Sequence, residues 1–241
     1  DGSSIGLKNV KAGDMVMVPD LTTGFLDPFW ETPTLSFICT TLNTDTFEIF
    51  ASDPRNIARQ AEAYLRDTGI AEISKWGPEF EFYIFDRIRI ENRMNSAGYH
   101  FTSRSAEWSR SAGRSGSQIP LHGGYHAAPP KDRYFKLRQK ICSRLSAMGV
   151  PVKYHHHEVG SPGQMEIETP LMGIIPAGDA VMIIKYTTKM TAQESGKAVT
   201  FMPKPIFGEA GSGMHFHQHL FREKTNLFYD PQGYGQISQL A

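Results

Sequence analysis

Residues 155–168 read HHHEVGSPGQMEIE, and the folding of this stretch decides how the rest of the chain is understood. Its first half, His155-His156-His157-Glu158, follows the apolar run Val150-Pro151-Val152. As a strand it puts His156 and Glu158 on one face and His155 and His157 on the other, because strand side chains alternate. Gly160-Ser161-Pro162-Gly163 is a turn sequence, so the chain reverses and brings Glu166 back beside Glu158 on a neighbouring strand. Two carboxylates set side by side repel unless a proton or a cation lies between them. The stretch therefore predicts a hairpin organised around a hard divalent cation.

Two other segments carry the same kind of group. Glu79 and Glu81 sit two apart in Trp76-Gly77-Pro78-Glu79-Phe80-Glu81-Phe82-Tyr83-Ile84-Phe85, so they share a face while Phe80, Phe82 and Ile84 cover the other. On an isolated surface strand this is an ordinary wet face. On a strand buried along one side, a carboxylate pair needs a compensating cation. His215, His217 and His219 alternate with Phe216, Gln218 and Leu220. Such a row is either a set of hydrogen-bonded core histidines or a metal site, and imidazole suits zinc. The preceding Gly211-Ser212-Gly213 offers backbone N–H groups where a carboxylate or phosphate could approach closely. Taken together, these segments supply many carboxylates and no thiolate, which selects magnesium or manganese. Four carboxylates exceed what one ion needs, pointing to two or three ions clamping a polyphosphate for phosphoryl transfer.

The remainder of the chain frames that site. Asp14 to Pro19 and Leu35 to Cys39 read as strands, and Asp53-Pro54 as an N-cap followed by the first helical residue. Ile57, Ala61, Tyr64 and Leu65 form that helix's apolar stripe, and Gly69 ends it. Arg87 to Ser117 is polar and aperiodic, a long loop. Helices are predicted from about Asp132 to Met148 and from about Pro176 to Ser195, the second burying Ala180, Ile183, Ile184, Thr187 and Thr191. Hairpin strands interspersed with helices give an α+β fold with a mostly antiparallel sheet. A domain boundary falls at about Ser52, dividing residues 1–52 from 53–241.

Bulk composition excludes several classes. Lys and Arg together number 25, matched by 25 Asp and Glu, so no global field attracts nucleic acid or an anionic membrane. Cys39 and Cys142 are too few for a disulfide framework, which fits a reducing cytoplasm. No apolar run approaches the roughly 20 residues of a membrane-spanning helix.

The motifs Glu79-Phe80-Glu81, His155-His156-His157-Glu158 with Gly163-Gln164-Met165-Glu166-Ile167, and Lys204-Pro205-Ile206-Phe207-Gly208 leading to Gly211-Ser212-Gly213-Met214-His215 resemble bacterial-type glutamine synthetase. So do Asp1-Gly2-Ser3-Ser4, Asp27-Pro28-Phe29, Gly123-Gly124-Tyr125 and Pro129-Pro130, and the resemblance covers essentially the whole chain. It implies a small N-terminal β-grasp domain, here partial, and a catalytic domain whose curved, mostly antiparallel sheet is flanked by helices. It also implies a glutamate–ammonia ligase that makes L-glutamine from L-glutamate, ammonium and ATP through a γ-glutamyl phosphate, with two to three Mg2+ or Mn2+ ions per site. By the same likeness, Glu81, Glu158 and Glu166 hold the ion on the glutamate side, and Glu79 and His215 the ion nearer the ATP phosphates. Ala210 and Gly211 lie against glutamate; Lys153, His217, Gln218 and His219 border the nucleotide. Asp1 receives the ammonium proton in the adjacent subunit's site. The assembly implied is a homo-oligomeric double-ring dodecamer with sites between subunits. His155 and His157 remain structural, packing or hydrogen-bonding on the far face of their strand.

Departures from the family pattern bear on function. Ala210 stands where members often carry an Asn that contacts glutamate, His219 where a Ser is common, and Lys153 where some place a Glu. Ile5-Gly6-Leu7 is one residue short in the loop after Asp1. The chain opens at Asp1 without a Met and closes at Ser238-Gln239-Leu240-Ala241, read as a helix just beginning. Both ends read as those of a fragment, expected to be inactive alone. The alternatives are a non-catalytic homologue kept as a structural or regulatory assembly, a γ-glutamyl-amine (polyamine) ligase, and a zinc hydrolase on the His row, which lacks the usual three-ligand signature.

Overall fold

The computed structural model describes residues 1–9, 13–109, 116 and 118–241. In chain order the elements are β1 (Met15–Pro19), β2 (Phe25–Asp27), β3 (Thr34–Ser36), β4 (Cys39–Asn43), α1 (Pro54–Asp67), β5 (Ile73–Phe85), β6 (Arg87–Arg93) and β7 (Ser96–Thr102). They continue with α2 (Phe135–Ala147), β8 (Tyr154–His157), β9 (Gln164–Glu168), α3 (Ile174–Glu194), β10 (Ala198–Thr200), β11 (Met214–Arg222) and β12 (Thr225–Asn226). The predicted α+β class, with a mostly antiparallel sheet and helices beside it, is the class observed. Contacts divide the chain into two units, described in turn.

The first unit comprises 1–76, 171–179 and 218–241. Here β1 pairs with β4 and β2 with β3, both antiparallel. The expected strand from Leu35 to Cys39 is two strands, interrupted at Phe37 and Ile38. Ile38 turns inward there: its N–H donates to Thr23 Oγ1 at 2.9 Å and its carbonyl accepts from Asp20 N at 2.9 Å. Asp53 caps α1 as predicted, accepting from Asn56 N at 2.9 Å and also from Thr41 N and Oγ1 at 2.9 and 2.8 Å. One carboxylate thus starts the helix and ties it to β4. The predicted apolar stripe of α1 is not its inner face, since Ile57 and Tyr64 are 53% and 67% exposed. The inner face is polar: Arg55 reaches Asp20 Oδ2 at 2.7 Å and Asp179 Oδ2 at 3.1 Å. An ion-pair set, more than apolar area, therefore orients this helix. At the end of the unit, residues 238–241 form a turn in place of the expected helix start.

The second unit comprises 77–170 and 180–217. Antiparallel β5 pairs with β9, β9 with β8, and β10 with the end of β5. Phe80, Phe82 and Ile84 of β5 and Met165 and Ile167 of β9 are buried, together with Ile141 and Leu145 of α2 and Ile184 of α3. The sheet thus has an apolar layer on one side and the acidic residues on the other. Arg138 is buried inside α2, donating to Asp132 Oδ2 at 2.8 Å and to His155 Nδ1 at 2.9 Å. Asp132 also accepts from Tyr134 N, which explains why the helix begins at Phe135 and not at Asp132. The predicted buried stripe of α3 holds, although the helix starts two residues earlier than expected, at Ile174.

The expected loop from Arg87 to Ser117 is, over its first half, the hairpin β6–β7, paired from Arg87↔Thr102 to Arg93↔Ser96. Its anchor is aromatic: the rings of Phe101 and Phe85 lie 4.5 Å apart, with Trp108 edge-on to Phe101 at 6.0 Å. The part of that expectation covering 110–115 and 117 lies outside the described residues. Among the described residues no helix is long and apolar enough to cross a membrane.

Candidate functional site

Directly opposed residues in an antiparallel pair share a face. The β5–β9 register sets Glu79 opposite Glu168 and Glu81 opposite Glu166, so two Glu-x-Glu repeats meet as two like-charge pairs. Opposed like charges destabilise a sheet. On the far side of β9 the register adds His156 opposite Glu166. This corrects one expectation: the direct neighbour of Glu166 across the hairpin is His156, with Glu158 further along the same face. The turn that closes the hairpin is held by Gly160, where a Cβ would run into the Tyr83 hydroxyl.

The side chains gather into two groups. His156 Nδ1 lies 3.7 Å from Glu158 Oε1 and its Nε2 lies 3.5 Å from Glu166 Oε2. Glu79 Oε1 lies 2.6 Å from His217 Nε2, and Glu79 Oε2 lies 3.3 Å from His215 Nδ1. Glu79, Glu168 and His217 form one set of potential ligands with donor atoms mutually within 4.8 Å; His156, Glu158 and Glu166 form the other. Burial, reinforced by the charges of Glu158, Glu79 and Glu81, pushes the Glu166 carboxyl up to about 8. Glu168, nearly fully buried, behaves oppositely: burial acts to raise it, but Lys153 Nζ at 2.5 Å and the Tyr154 hydroxyl hold it below the usual range. Its second oxygen has no hydrogen-bond partner.

Glu81 is positioned by the loop before β11. Its Oε2 accepts from Gly213 N at 2.9 Å and from Gln164 Nε2 at 3.2 Å. The glycine N–H singled out as an anion donor is thus taken by a carboxylate of the same chain. Gln164 also donates to Gly211 O at 2.7 Å, and Tyr83 donates its hydroxyl to Ala210 O at 2.6 Å. Glu209 is buried, accepting from Ser161 Oγ at 2.6 Å.

Of the predicted residues, Glu79, Glu81, Glu158, Glu166, His215, His217 and Lys153 are brought together in the second unit, beside the Ala210–Gly211 loop. Gln218 and His219 belong to the first unit, where Asn226 Nδ2 donates to His219 Nδ1 at 3.0 Å. Asp1 also belongs there; its carboxylate accepts from Ser3 N and Oγ and from Ser4 Oγ at 2.7–2.9 Å. His155 and His157 have structural partners: His155 accepts from Arg138, and His157 Nδ1 lies 2.6 Å from Glu158 O. Burial pushes both rings toward the neutral form. Sequence reasoning missed Glu168 and gave His156 no role. The signal for Glu168 was present in Glu166-x-Glu168, which repeats the Glu79-x-Glu81 spacing.

The chemistry of this donor set, carboxylate oxygens with imidazole nitrogens and a displaced carboxyl, fits a hard divalent ion. The family description "Glutamine synthetase, catalytic domain" matches residues 51–241, and "Glutamine synthetase, beta-Grasp domain" matches residues 1–44. A glutamine synthetase of Streptomyces filamentosus is 43% identical over 244 residues, covering 100% of this chain and 52% of its own length. One of Pseudomonas aeruginosa is 40% identical over 246 residues, with coverages of 100% and 52%. A cryoEM structure of Plasmodium falciparum glutamine synthetase superposes with a TM-score of 0.86 at 24% identity, covering 99% of this chain and 48% of that one. That likeness shows the fold, including the curled antiparallel sheet and the N-terminal β-grasp unit. The chain spans about half the length of the curated relatives it matches.

Proposed function

This chain belongs to the glutamine synthetase family, and from that premise we propose that it serves the ATP-dependent ligation of ammonia to L-glutamate, giving L-glutamine through a γ-glutamyl phosphate. The observation that carries this reading is the pair of opposed Glu-x-Glu repeats, on a face where burial, together with the charges of Glu158, Glu79 and Glu81, pushes the Glu166 carboxyl up to about 8. A face built this way is stabilised by cations.

In this reading Glu81, Glu158 and Glu166 hold the ion on the glutamate side, and Glu79 with His215 the ion nearer the ATP phosphates. His156 joins the first set and Glu168 and His217 the second, on the distances above. Magnesium or manganese, when bound, would neutralise and polarise the transferred phosphoryl group. The chain's own residues do the rest. Ala210 and Gly211 bind glutamate through a loop whose carbonyls are fixed by Tyr83 and Gln164. Lys153, His217, Gln218 and His219 border the nucleotide. Asp1, an acceptor of several hydrogen bonds, takes the ammonium proton in a neighbouring subunit's site, leaving a nucleophilic amine. The domains run 1–52 and 53–241, and the working form is a cytoplasmic homo-oligomer, a double-ring dodecamer with sites between subunits.

Two measurements on the full-length protein test this. Calorimetric titration with Mn2+, then with ATP, should show both binding; absence of both would favour a purely structural homologue. Phosphate release with glutamate plus ammonium should exceed release with glutamate plus a polyamine, the reverse order identifying a γ-glutamyl-amine ligase. Glu158→Gln should abolish turnover while the fold persists, and normal turnover in that variant would remove Glu158 from the site.

A further inference from the structure

A second concave site lies away from the glutamates in composition and in charge. Where β5 ends and the β6–β7 hairpin begins, a cleft of about 320 Å³ is lined by Asp86, Arg87, Thr102, Ser103, Arg104 and Lys197, among others. Asp86 organises it. Its Oδ1 accepts from Lys197 Nζ at 2.7 Å and from Arg104 Nε at 3.3 Å, and its Oδ2 from Arg104 N at 2.6 Å. The Lys197 and Asp86 side chains are only 19% and 14% exposed, so this pair forms a half-buried floor. The Arg104 side chain is 55% exposed and Arg87 is also exposed, giving the cleft accessible walls.

The donor count decides the ligand's sign. An ammonium carries three N–H donors and a guanidinium five. Asp86 engages one nitrogen of each side chain, which leaves the terminal nitrogens of Arg104 open, and the Arg87 guanidinium meets no carboxylate among the described residues. Three cations against one carboxylate leave a local excess of two positive charges, in a chain whose formal net charge is zero. That excess matches a dianion. A metal ion would not compete, because Lys197 and Arg104 already occupy the oxygens of Asp86.

Geometry narrows the class. Guanidinium forks pair with tetrahedral oxyanions through two parallel hydrogen bonds, and Thr102 adds a hydroxyl to the lining. The volume sits at the lower end of small-molecule pockets and exceeds a bare phosphate. We propose that this cleft binds a phosphoryl dianion, as the phosphate monoester of a small polar metabolite, at a site separate from the glutamate cluster. The inference does not depend on the ligase reading, since none of the cleft residues belongs to the proposed metal or substrate set.

The test uses the full-length protein in EDTA, so that phosphate held through divalent ions does not contribute, at about 0.1 M salt to suppress diffuse attraction. Glycerol 3-phosphate, inorganic phosphate and glycerol are titrated calorimetrically against the wild type, Arg87→Ala, and Arg87→Ala/Arg104→Ala. Saturable binding of glycerol 3-phosphate is expected, weakened at least about tenfold in the double variant, with glycerol silent. Equal affinity for inorganic phosphate would keep the phosphoryl site and assign it to the free ion. Arg87→Ala alone removes an exposed side chain, so its weaker binding is readable even if the double variant fails to fold. Absence of saturable binding to the wild type, or equal affinity in wild type and Arg87→Ala, would overturn the proposal.

Discussion

Replacing Glu166 with Gln should make the metal-free protein more stable at alkaline pH and less able to gain stability from metal. The Glu166 carboxyl moves from 4.5 in an open chain to about 8 in the fold, first through burial and then through Glu158, Glu79 and Glu81. The folded state thus holds the proton more tightly than the unfolded state. Its contribution is complete below about 4.5, declines as pH rises, and is gone once the pH has passed about 8. A displacement of that size sets a ceiling of about 5 kcal/mol, and relaxation of the crowded carboxylates reduces the realised part to about 2–3 kcal/mol. Gln cannot ionise, so the variant lacks this decline. Thermal midpoints in EDTA, from about pH 5 to about pH 9, should diverge by about 5–10 °C in favour of the variant at the alkaline end. Adding Mn2+ should recover the wild type and leave the variant nearly unmoved. At neutral pH the same event should release close to one proton on metal binding, read from calorimetry in buffers of different ionisation enthalpy. Parallel pH profiles for the two proteins would refute the reasoning, because Glu166 would then be neither crowded nor buried enough to matter.

Two further variants probe the support beneath the site. Arg138→Met removes the buried cation bonded to Asp132 and His155, and should cost about 3–5 kcal/mol in denaturant unfolding. Adding Asp132→Asn should recover part of that loss, and strictly additive effects would show that the pair is not coupled. Gly160→Ala drives a methyl group into the Tyr83 hydroxyl and should cost about 1–3 kcal/mol by overpacking, with weaker Mn2+ binding because the hairpin shifts. Tyr83→Phe in that background should recover only part of the loss, since Tyr83 Cζ at 2.6 Å and Gln164 Oε1 at 2.8 Å would still crowd the added methyl, and a Gly160→Ala protein as stable as wild type would disprove the clash.

Much of the site could be read locally because its carboxylates lie on short alternating runs. Glu79 and Glu81 among aromatics, and the histidine run before a Gly-Ser-Pro-Gly turn, declare their faces without reference to distant chain. The cap at Asp53 was legible for the same reason, since capping is decided within one helical turn. Glu168 was legible only in part: its spacing from Glu166 repeats that of Glu79 and Glu81, but which carboxylate faces Glu79 depends on the alignment of two strands more than eighty residues apart, and no local pattern sets that alignment. The β6–β7 hairpin hid behind its arginines and serines; what holds it is Phe101 against Phe85, a contact between strands. The inner face of α1 was misread because apolar periodicity assumes that burial of apolar area orients a helix. Arg55, bonded to Asp20 and Asp179, overrides it.

The alignment of β5 with β9 has a consequence for how the chain matures. Sliding β5 by a single residue would turn Glu79 and Glu81 toward the apolar layer and carry Phe80 and Phe82 onto the acidic face. The mispaired sheet would lose its oily filling and its acidic claw in the same step. If the site takes a divalent ion as proposed, only a chain with its strands correctly paired would offer the full set of ligands, and the ion would serve as the gauge by which correctly zipped molecules are told from slipped ones.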